Sequence, residues 1–304
     1  MKGVESRRCT RCKKLQPETL FAESSGLCVY CKAEDADALP KPNTQKIDSA
    51  EMEPETDSVL SVEEKAKAEL ALRFLTRKRL LPFVERFNPD YQAGWVHKDI
   101  CRRLEKFSKD VAEKKSPRLM LFMPPRHGKS TLASIAFPAW HLGRNPQHEF
   151  ISCSYSGALA MGFSRKVRQL LREPTYKTAF KTRLDPDSQS AESWLTSNGG
   201  GFVSAGVGGG ITGKGAHILV IDDPVKNRED AESQNARDST WDWYTSTAYT
   251  RLSPGGGILI ILTRWHDDDL AGRLLKAASD GGEEWEVVNY PAIAEVDERF
   301  RKAG

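Results

Sequence analysis

The sequence predicts an α/β protein whose mainly parallel β-sheet has helices on both faces. After Pro117, short apolar runs alternate with longer stretches of helical periodicity, which is the pattern of parallel strands joined by crossover helices. Met123, Asp222 and Thr263 lie at the carboxyl ends of three of these runs, and a turn ending in Gly-Lys-Ser follows the first of them. Because such sheets bind ligands at the carboxyl ends of their strands, these three ends mark the expected functional site.

The individual elements follow from caps and periodicity. Ser61 and Glu64 form a capping-box pattern, which predicts a helix running toward Leu81 and interrupted or ended at Pro82. Apolar residues at helical spacing over 96–111 predict another helix. The predicted strands are 119–123, 150–154, 217–222, 258–263 and 285–288. The predicted helices between and after them are 129–141, 158–171, 231–249 and 268–278.

The composition is that of a globular protein. The chain has 304 residues, of which 29% are charged and 39% hydrophobic, and its net charge of +3 is too small to indicate nucleic-acid binding by itself. It has no apolar run near the ~20 residues that span a bilayer and no signal peptide, so we expect a cytosolic protein with no membrane partner. Cys101 and Cys153 have no partner spacing and are expected to be buried thiols.

The first 33 residues carry the spacing of a zinc ribbon. Cys9 and Cys12 form one C-x-x-C pair, and Cys28 and Cys31 form a second pair fifteen residues later. Four thiolates can complete a tetrahedral Zn²⁺ site, whose metal would supply the folding energy of so short a module. The ribbon could bind nucleic acid or protein. Residues 34–62 are acidic and proline-containing, which predicts a flexible linker or an arm on the main domain, 63–304.

Residues 123–130, MPPRHGKS, end as a P-loop ends. In a P-loop, Lys129 reaches the β- and γ-phosphates of a nucleotide, and the Ser130 hydroxyl binds Mg²⁺. The usual pattern has glycine where this chain has Met123, so this motif alone leaves an ordinary strand–turn–helix as the alternative.

The run 218–223, ILVIDD, has the form of a Walker B strand. Asp222 at the strand tip would hold Mg²⁺, and Asp223 would orient or deprotonate the attacking water. Glu229 is a weaker candidate for the base. Without a P-loop upstream, the two carboxylates could instead cap the following loop.

A third strand, 258–263, ends at Thr263, which could sense the γ-phosphate. The next polar run, from His266 to Asp269, resembles a set of metal ligands at first sight, but acidic residues before Leu270 predict the N-cap of a helix. The glycine-rich stretch 199–215 predicts either a loop facing nucleotide or DNA, or a β-hairpin.

Together, PPRHGKS, VIDDPVKN and LTRWHDDDLAGRL resemble the large subunit of tailed-bacteriophage terminases, over roughly 80–304. Members of this family are DNA-packaging motors. The resemblance implies an ATPase domain with the additional-strand, RecA-like P-loop fold. It assigns Lys129 to Walker A, Asp222 and Asp223 to Walker B, Thr263 to the coupling motif and Arg126 to the arginine that terminase Walker A loops often carry.

The resemblance also implies contacts outside these motifs. The family has an adenine-binding segment before the P-loop, and Gln92, Trp95 and His97 lie in that region. A neighbouring subunit usually supplies an arginine finger, for which Arg251 is a candidate; a cation at a helix C-terminus is its alternative role. We therefore expect the nucleotide to meet Gln92, Pro125, Arg126, His127, Gly128, Lys129, Ser130, Thr131 and Asp222.

Two features depart from the family pattern. The sequence stops at Gly304, where the family continues into an RNase H-like nuclease, so we expect no DNA cleavage by this chain. The zinc ribbon is not a general family feature and could dock the small terminase subunit or DNA.

The expected function is a Mg²⁺-dependent ATPase that drives double-stranded DNA into a procapsid. Contact would be through the DNA backbone phosphates, in a homo-oligomeric ring on the portal protein, in the cytoplasm of the infected bacterial host. The alternatives are a helicase-like translocase and a zinc-ribbon adaptor whose nucleotide-binding domain is weakly active.

Overall fold

The computed structural model describes residues 6–8, 15–17, 61–211, 213–298 and 300–303. The chain divides into two compact units, Met1–Val59 and Leu60–Gly304. In the first unit, strand β1 (Ser6–Arg8) pairs antiparallel with β2 (Leu15–Pro17). The four cysteines of the predicted ribbon, and all but the end of the predicted linker, lie outside the described residues. The zinc site and the linker therefore stay predictions.

Three helices open the second unit: α1 (Val62–Lys78), α2 (Leu80–Phe87) and α3 (Trp95–Ala112). The predicted capping box is confirmed, because Ser61 Oγ accepts the N–H of Glu64 at 3.2 Å while the Glu64 carboxylate accepts the N–H of Ser61 at 2.8 Å. The predicted break at Pro82 is wrong. The chain breaks at Arg79, which is extended, and Pro82 lies in the first turn of α2, where an N–H has no helical partner to lose.

Eight strands form one sheet in the order β10-β3-β9-β8-β4-β7-β6-β5. They are β3 (Arg118–Phe122), β4 (Glu149–Ser154), β5 (Leu184–Gln189), β6 (Ser193–Thr196), β7 (Gly201–Gly206), β8 (Ala216–Asp222), β9 (Leu252–Leu262) and β10 (Glu286–Asn289). All pairs from β10 to β7 are parallel, whereas β6 is antiparallel to both of its neighbours. The predicted mainly parallel sheet is thus confirmed.

The five predicted strands correspond to β3, β4, β8, β9 and β10, although β9 begins at Leu252, well before 258. Strands β5, β6 and β7 were not among the predicted strands. Of the two alternatives for the glycine-rich stretch, the hairpin describes its first part, because that part is β7 and pairs antiparallel with β6.

Helices connect the strands. After β3, a π-helical turn (Thr131–Ala136) leads into α4 (Phe137–Arg144). The remaining helices are α5 (Gly157–Arg172), α6 (Pro174–Ala179), α7 (Arg228–Glu232), α8 (Gln234–Trp243) and α9 (Leu270–Ser279). The predicted single helix over 231–249 is wrong. It is divided at Ser233, whose hydroxyl accepts the N–H of Ala236 as the N-cap of α8, and it ends in π-helical (Tyr244–Ala248) and 3₁₀ (Tyr249–Arg251) turns.

Both faces of the sheet are buried, as predicted. Alternate residues of β3 belong to two different cores: Leu119 and Leu121 to one, Met120 and Phe122 to the other. The first core includes α2 to α5, and the second includes α9 and the turns after α8. Such two-sided burial explains why the central strands are continuous apolar runs.

Cys101 and Cys153 are free and buried, as predicted, and burial raises the pKa of each thiol to about 12. None of the described helices has the length and apolar character needed to cross a membrane.

Strand β9 lies between β3 and β8, so the P-loop strand and the Walker B-like strand are not neighbours. The additional-strand fold that the resemblance implies would have this order. Because β3, β9 and β8 are parallel and in register, their carboxyl ends meet at one edge of the sheet. Met123, Thr263 and Asp223 follow directly after these ends, which positions the candidate site.

Candidate nucleotide-binding site

The loop after β3 turns sharply because two of its residues adopt the left-handed backbone conformation. Arg126 has a φ of 65° and Gly128 a φ of 79°. Glycine takes up this conformation freely, whereas a residue with a β-carbon does so at a cost. The N–H of Leu132 then donates to the carbonyl of Gly128 at 3.0 Å. The turn therefore leads into a helix whose first N–H groups are free to bind an anion.

The other predicted loop residues surround this helix start. Pro125 and His127 are exposed, and the His127 ring folds back, its Nδ1 lying 2.8 Å from the Pro125 carbonyl. Ser130 is half-buried and Thr131 is exposed at the beginning of the π-helical turn. These positions are compatible with phosphate binding, but their nucleotide contacts stay predictions.

The amine of Lys129, in the loop after β3, contacts the residues that directly follow β8 and β9. Its Nζ lies 2.9 Å from Oδ1 and 2.8 Å from Oδ2 of Asp223, and it donates to Oγ1 of Thr263 at 2.7 Å. Oγ1 of Thr263 in turn lies 3.3 Å from the carbonyl of Met123. Lys129 is only 6% exposed, whereas the Asp223 side chain is 33% exposed. A ligand can therefore approach this cluster from the side of Asp223.

Asp223 is fixed by its backbone as well as by its side chain. Its φ of 45° is left-handed, which is uncommon for a non-glycine residue. Its N–H donates to the carbonyl of Ile261 at 2.8 Å, its carbonyl accepts the N–H of Tyr155 at 3.1 Å, and its Oδ1 accepts the N–H of Thr263 at 3.0 Å. Tyr155 and Ile261 thus hold the backbone of Asp223, and Thr263 holds its carboxylate.

Asp222 has the chemistry of a metal ligand. It is 1% exposed, its Oδ2 accepts the hydroxyl of Ser134 at 2.5 Å, and its Oδ1 is buried without a hydrogen-bond partner among the described residues. Burial raises the pKa of Asp222 to about 6; hydrogen bonding by Ser134 and Ser130 opposes this shift, and the charge of Asp223 adds to it. A buried carboxylate oxygen without a partner, close to a serine hydroxyl, fits the hard oxygen ligands that Mg²⁺ prefers.

The segment between α2 and α3 packs against the loop. His97 Nε2 lies 3.2 Å from the His127 carbonyl, and the rings of His97 and Tyr91 pack edge-on at 5.5 Å. Gln92 is exposed in the same segment, next to Tyr91. Trp95 stacks instead on Phe300 with ring centroids 5.0 Å apart. Of the three residues proposed for the adenine segment, His97 is therefore the one that contacts the loop.

The structure does not bring every predicted residue to the site. Arg126 is exposed and makes no hydrogen bond or ion pair with another described residue. Glu229 is exposed in α7. Arg251 precedes β9 whereas Thr263 follows it, and this eleven-residue strand separates them by roughly 35 Å. Arg251 cannot reach the site of its own chain, so a finger role requires a second subunit and stays a prediction.

The N-cap interpretation of the run from His266 to Asp269 is confirmed. Asp269 Oδ1 accepts the N–H of Gly272 at 2.8 Å, which caps α9, and its Oδ2 accepts the guanidinium of Arg264 at 2.6 Å. His266 Nδ1 accepts the N–H of Asp268 at 2.9 Å. Within the described part of the chain, no group of three or more His, Cys, Asp or Glu side chains could hold a metal ion.

Two contacts of the site, those of Ser134 and His97, were not predicted. Ser134 follows Ser130 by four residues, which places both hydroxyls on one side of a helix, and this spacing was a usable signal. The contact between His97 and His127 spans 30 residues and has no comparable signal in the sequence.

Three comparisons with known proteins bear on the chain. The family model described as "Terminase large subunit, T4likevirus-type, N-terminal" matches residues 120–304. No curated protein matches the chain.

Among solved structures, the chain is similar to the large terminase from a thermophilic bacteriophage. One crystal structure aligns with 14% identity and a TM-score of 0.36, over 59% of this chain and 40% of that chain. The complex with ATP-γ-S aligns with 12% identity and a TM-score of 0.37, over 60% and 44%. The complex with ADP aligns with 12% identity and a TM-score of 0.36, over 60% and 45%. The chain thus spans less than half the length of these terminases.

The family model covers more than half of the chain, and its matched segment contains the loop, both aspartates and Thr263. The chain therefore belongs to the terminase large subunits of the T4-like virus type, and residues 120–304 correspond to their N-terminal part.

Proposed function

We propose that this chain hydrolyses ATP with Mg²⁺ and that hydrolysis drives the translocation of double-stranded DNA into a procapsid. The observation that carries the proposal is the position of one buried amine, Lys129, between the carboxylate of Asp223 and the hydroxyl of Thr263. This cluster lies at the carboxyl ends of adjacent parallel strands, beside a turn suited to phosphate binding. Membership in the terminase family supports the same activity.

The geometry suggests how ATP would use the cluster. The β- and γ-phosphates would compete with Asp223 for the amine of Lys129, since phosphate oxygens carry the larger charge. Release of Lys129 would leave the Asp223 carboxylate free to orient a water molecule or accept its proton. Arg126, which has no partner among the described residues, is available to neutralise charge on the γ-phosphoryl group.

Ser130 and Asp222 would hold Mg²⁺, which when bound neutralises phosphate charge and favours attack by water. Asp222 must be ionised to do so. Ser134 contributes by donating to Oδ2 of Asp222, which stabilises the ionised carboxylate and leaves Oδ1 for the metal.

Thr263 would transmit the state of the nucleotide. Its hydroxyl touches Lys129 and its N–H donates to Asp223, so movement of either side chain changes its hydrogen bonds. Loss of the γ-phosphate would return Lys129 to Asp223 and Thr263. Strand β9 begins at Leu252 and ends directly before Thr263. It is a rigid element that could transmit movement of Thr263 to the surface at its amino end.

The proposed partners follow from family membership. Double-stranded DNA would be contacted through its backbone phosphates, since a motor has to act on any sequence. The chain would act in a homo-oligomeric ring with the portal protein and the small terminase subunit, in the cytoplasm of the infected bacterial host. In that ring, Arg251 of one subunit could act on the nucleotide of another.

The test is ATP turnover by the purified protein with and without double-stranded DNA. We expect Lys129→Ala and Asp222→Ala to lose turnover while remaining folded by circular dichroism. The control is Lys181→Ala, which removes an exposed lysine near β5 at the far side of the sheet. Full turnover in either site variant would refute the site.

Further measurements distinguish the alternatives. Strand separation would favour a helicase-like translocase, and tight nucleotide binding without turnover at any protein concentration would favour an adaptor. Turnover that rises steeply with protein concentration would support a finger supplied by a second subunit.

A further inference from the structure

His97 has two different partners, one on each side of its ring. It is the third residue of α3, and its Nδ1 accepts the N–H of Gly94, the N-cap residue, at 3.0 Å. This bond satisfies an N–H group that the helix leaves free, and it is the part that Glu or Gln usually plays at this position of a capping box. The helix cap alone does not explain why the residue is histidine.

The second ring nitrogen of His97 has a partner outside the helix, so position 97 needs a donor as well as an acceptor. Nδ1 accepts the N–H of Gly94, so in the neutral ring the proton is on Nε2, and Nε2 donates to the carbonyl of His127 at 3.2 Å. Glutamate in this position could cap the helix, but an ionised carboxylate has no proton to donate to a carbonyl. The ring of His97 thus connects the start of α3 to the phosphate-binding loop.

The contact falls on a peptide of the loop that is predicted to bind phosphate. The carbonyl of His127 and the N–H of Gly128 belong to one planar trans peptide, so they point in opposite directions. Holding the carbonyl toward α3 directs the N–H of Gly128 away from α3 and toward the inside of the loop. Both residues that flank His127 have left-handed backbones, so this peptide lies within the sharp turn of the loop.

The ring also limits which residue can stand at position 128. A β-carbon there would lie 3.4 Å from Nε2 and 3.6 Å from Cδ2 of His97. Tyr91 packs edge-on against the same ring and restricts its movement. The ring is therefore held between the loop and the segment that precedes α3.

We propose that His97 is a positioning residue of the nucleotide site, which orients the Gly128 N–H toward the nucleotide phosphates by binding the preceding carbonyl. The proposal rests on the proposed ATPase function. It assigns His97 no contact with ATP itself and no part in the chemical step. Loss of the bond should therefore weaken nucleotide binding more than it slows turnover at saturating ATP.

The experiment compares His97→Ala, His97→Gln and the control Lys98→Ala, which changes the next, exposed residue of α3. Three quantities are measured: the Kd for a fluorescent ATP analogue with Mg²⁺, the KM and kcat for ATP, and the Tm. Binding is measured far below the Tm of every variant, where almost all protein is folded and a change in stability alone leaves the Kd unchanged.

We expect His97→Ala to raise the Kd and KM about fivefold to tenfold, as for the loss of one hydrogen bond, with a smaller effect on kcat. His97→Gln retains an N–H donor and should stay within about threefold of wild type, and Lys98→Ala should match wild type. A normal Kd in His97→Ala, even with a lowered Tm, would overturn the proposal, because His97 would then only cap α3. A Kd for His97→Gln as high as that of His97→Ala would also overturn it. Absence of ATP binding by the wild-type protein would instead refute the proposed function.

Discussion

Replacing Asp222 by Asn should change how the free energy of unfolding of this protein depends on pH. In the nucleotide-free fold, Asp222 is an ionisable group buried at 1% exposure, with one carboxylate oxygen bonded to Ser134 and the other without a described partner. Burial raises its pKa from 3.8 to about 6. Near neutral pH the fold therefore contains a buried negative charge that is less well stabilised than it would be in water, and Asn removes this charge.

The size of the effect follows from the pKa shift. A shift from 3.8 to about 6 corresponds to about 3 kcal/mol at roughly 1.4 kcal/mol per pKa unit. Since the folded state binds the proton more tightly than the unfolded state, the wild-type protein loses this stability as the pH rises from 4 to 6. Asn can still accept the hydroxyl of Ser134, but it adds a buried N–H that costs about 1–3 kcal/mol, so at pH 7 the net gain is about 0–2 kcal/mol.

The assay is urea unfolding of both proteins between about pH 4.5 and 7.5, without nucleotide or metal. We expect the free energy of unfolding of Asp222→Asn, minus that of wild type, to rise by about 2 kcal/mol across this range. Half-buried His148, whose pKa is lowered to about 4 mainly by desolvation, makes the protein less stable as the pH falls, but it does so in both proteins and cancels in the difference. Asp187→Asn, at an exposed aspartate, is the control. A difference that stays constant with pH would refute the reasoning.

Two further predictions concern the hydrogen bond of Ser134 and the packing of β9. Ser134→Ala removes the hydrogen bond that Ser134 donates to Oδ2 of Asp222, so the pKa of Asp222 should rise further above its ordinary value. The acidic limb of the kcat/KM profile for ATP should then move to higher pH, and an unchanged profile would contradict the role of Ser134. Gly257→Ala places a methyl group 2.6 Å from the ring of Phe107 and should lower the free energy of unfolding by about 2 kcal/mol, which would appear as a Tm decrease of about 4–8 °C. The control is Gly162→Ala, which has open space around it and should not lower the Tm.

The strands of the central sheet could be predicted because burial on both faces requires continuous apolar residues. β3, β8 and β9 all show such runs, and the P-loop-like turn after β3 together with the polar ends of β8 and β9 identified the edge that carries the site. β5 lacks this signal, because its sequence LDPDSQ is polar and contains proline, and only its pairing with β6 makes it a strand. The break at Ser233 was missed for a related reason: the serine that caps α8 lies inside a stretch that helical periodicity alone continues across.

The candidate site was predictable in its residue types but not in its hydrogen bonds. The loop, both aspartates and Thr263 follow from local patterns. The contact of Ser134 with Asp222 spans 88 residues, and that of Lys129 with Thr263 spans 134. Such pairs depend on which strands are neighbours, and a single sequence carries no record of that order.

The sequence by itself determined the class of the protein: an α/β chain with terminase motifs, three strands with polar ends, and helix caps at Ser61 and Asp269. These features depend on residues close together in the chain, so local physics is sufficient to specify them. Only the tertiary structure decided that the amine of Lys129 contacts Asp223 and Thr263, and that Nε2 of His97 lies beside the carbonyl of His127. Each of these depends on packing between distant segments, where burial and hydrogen bonding act across the sheet rather than along the chain.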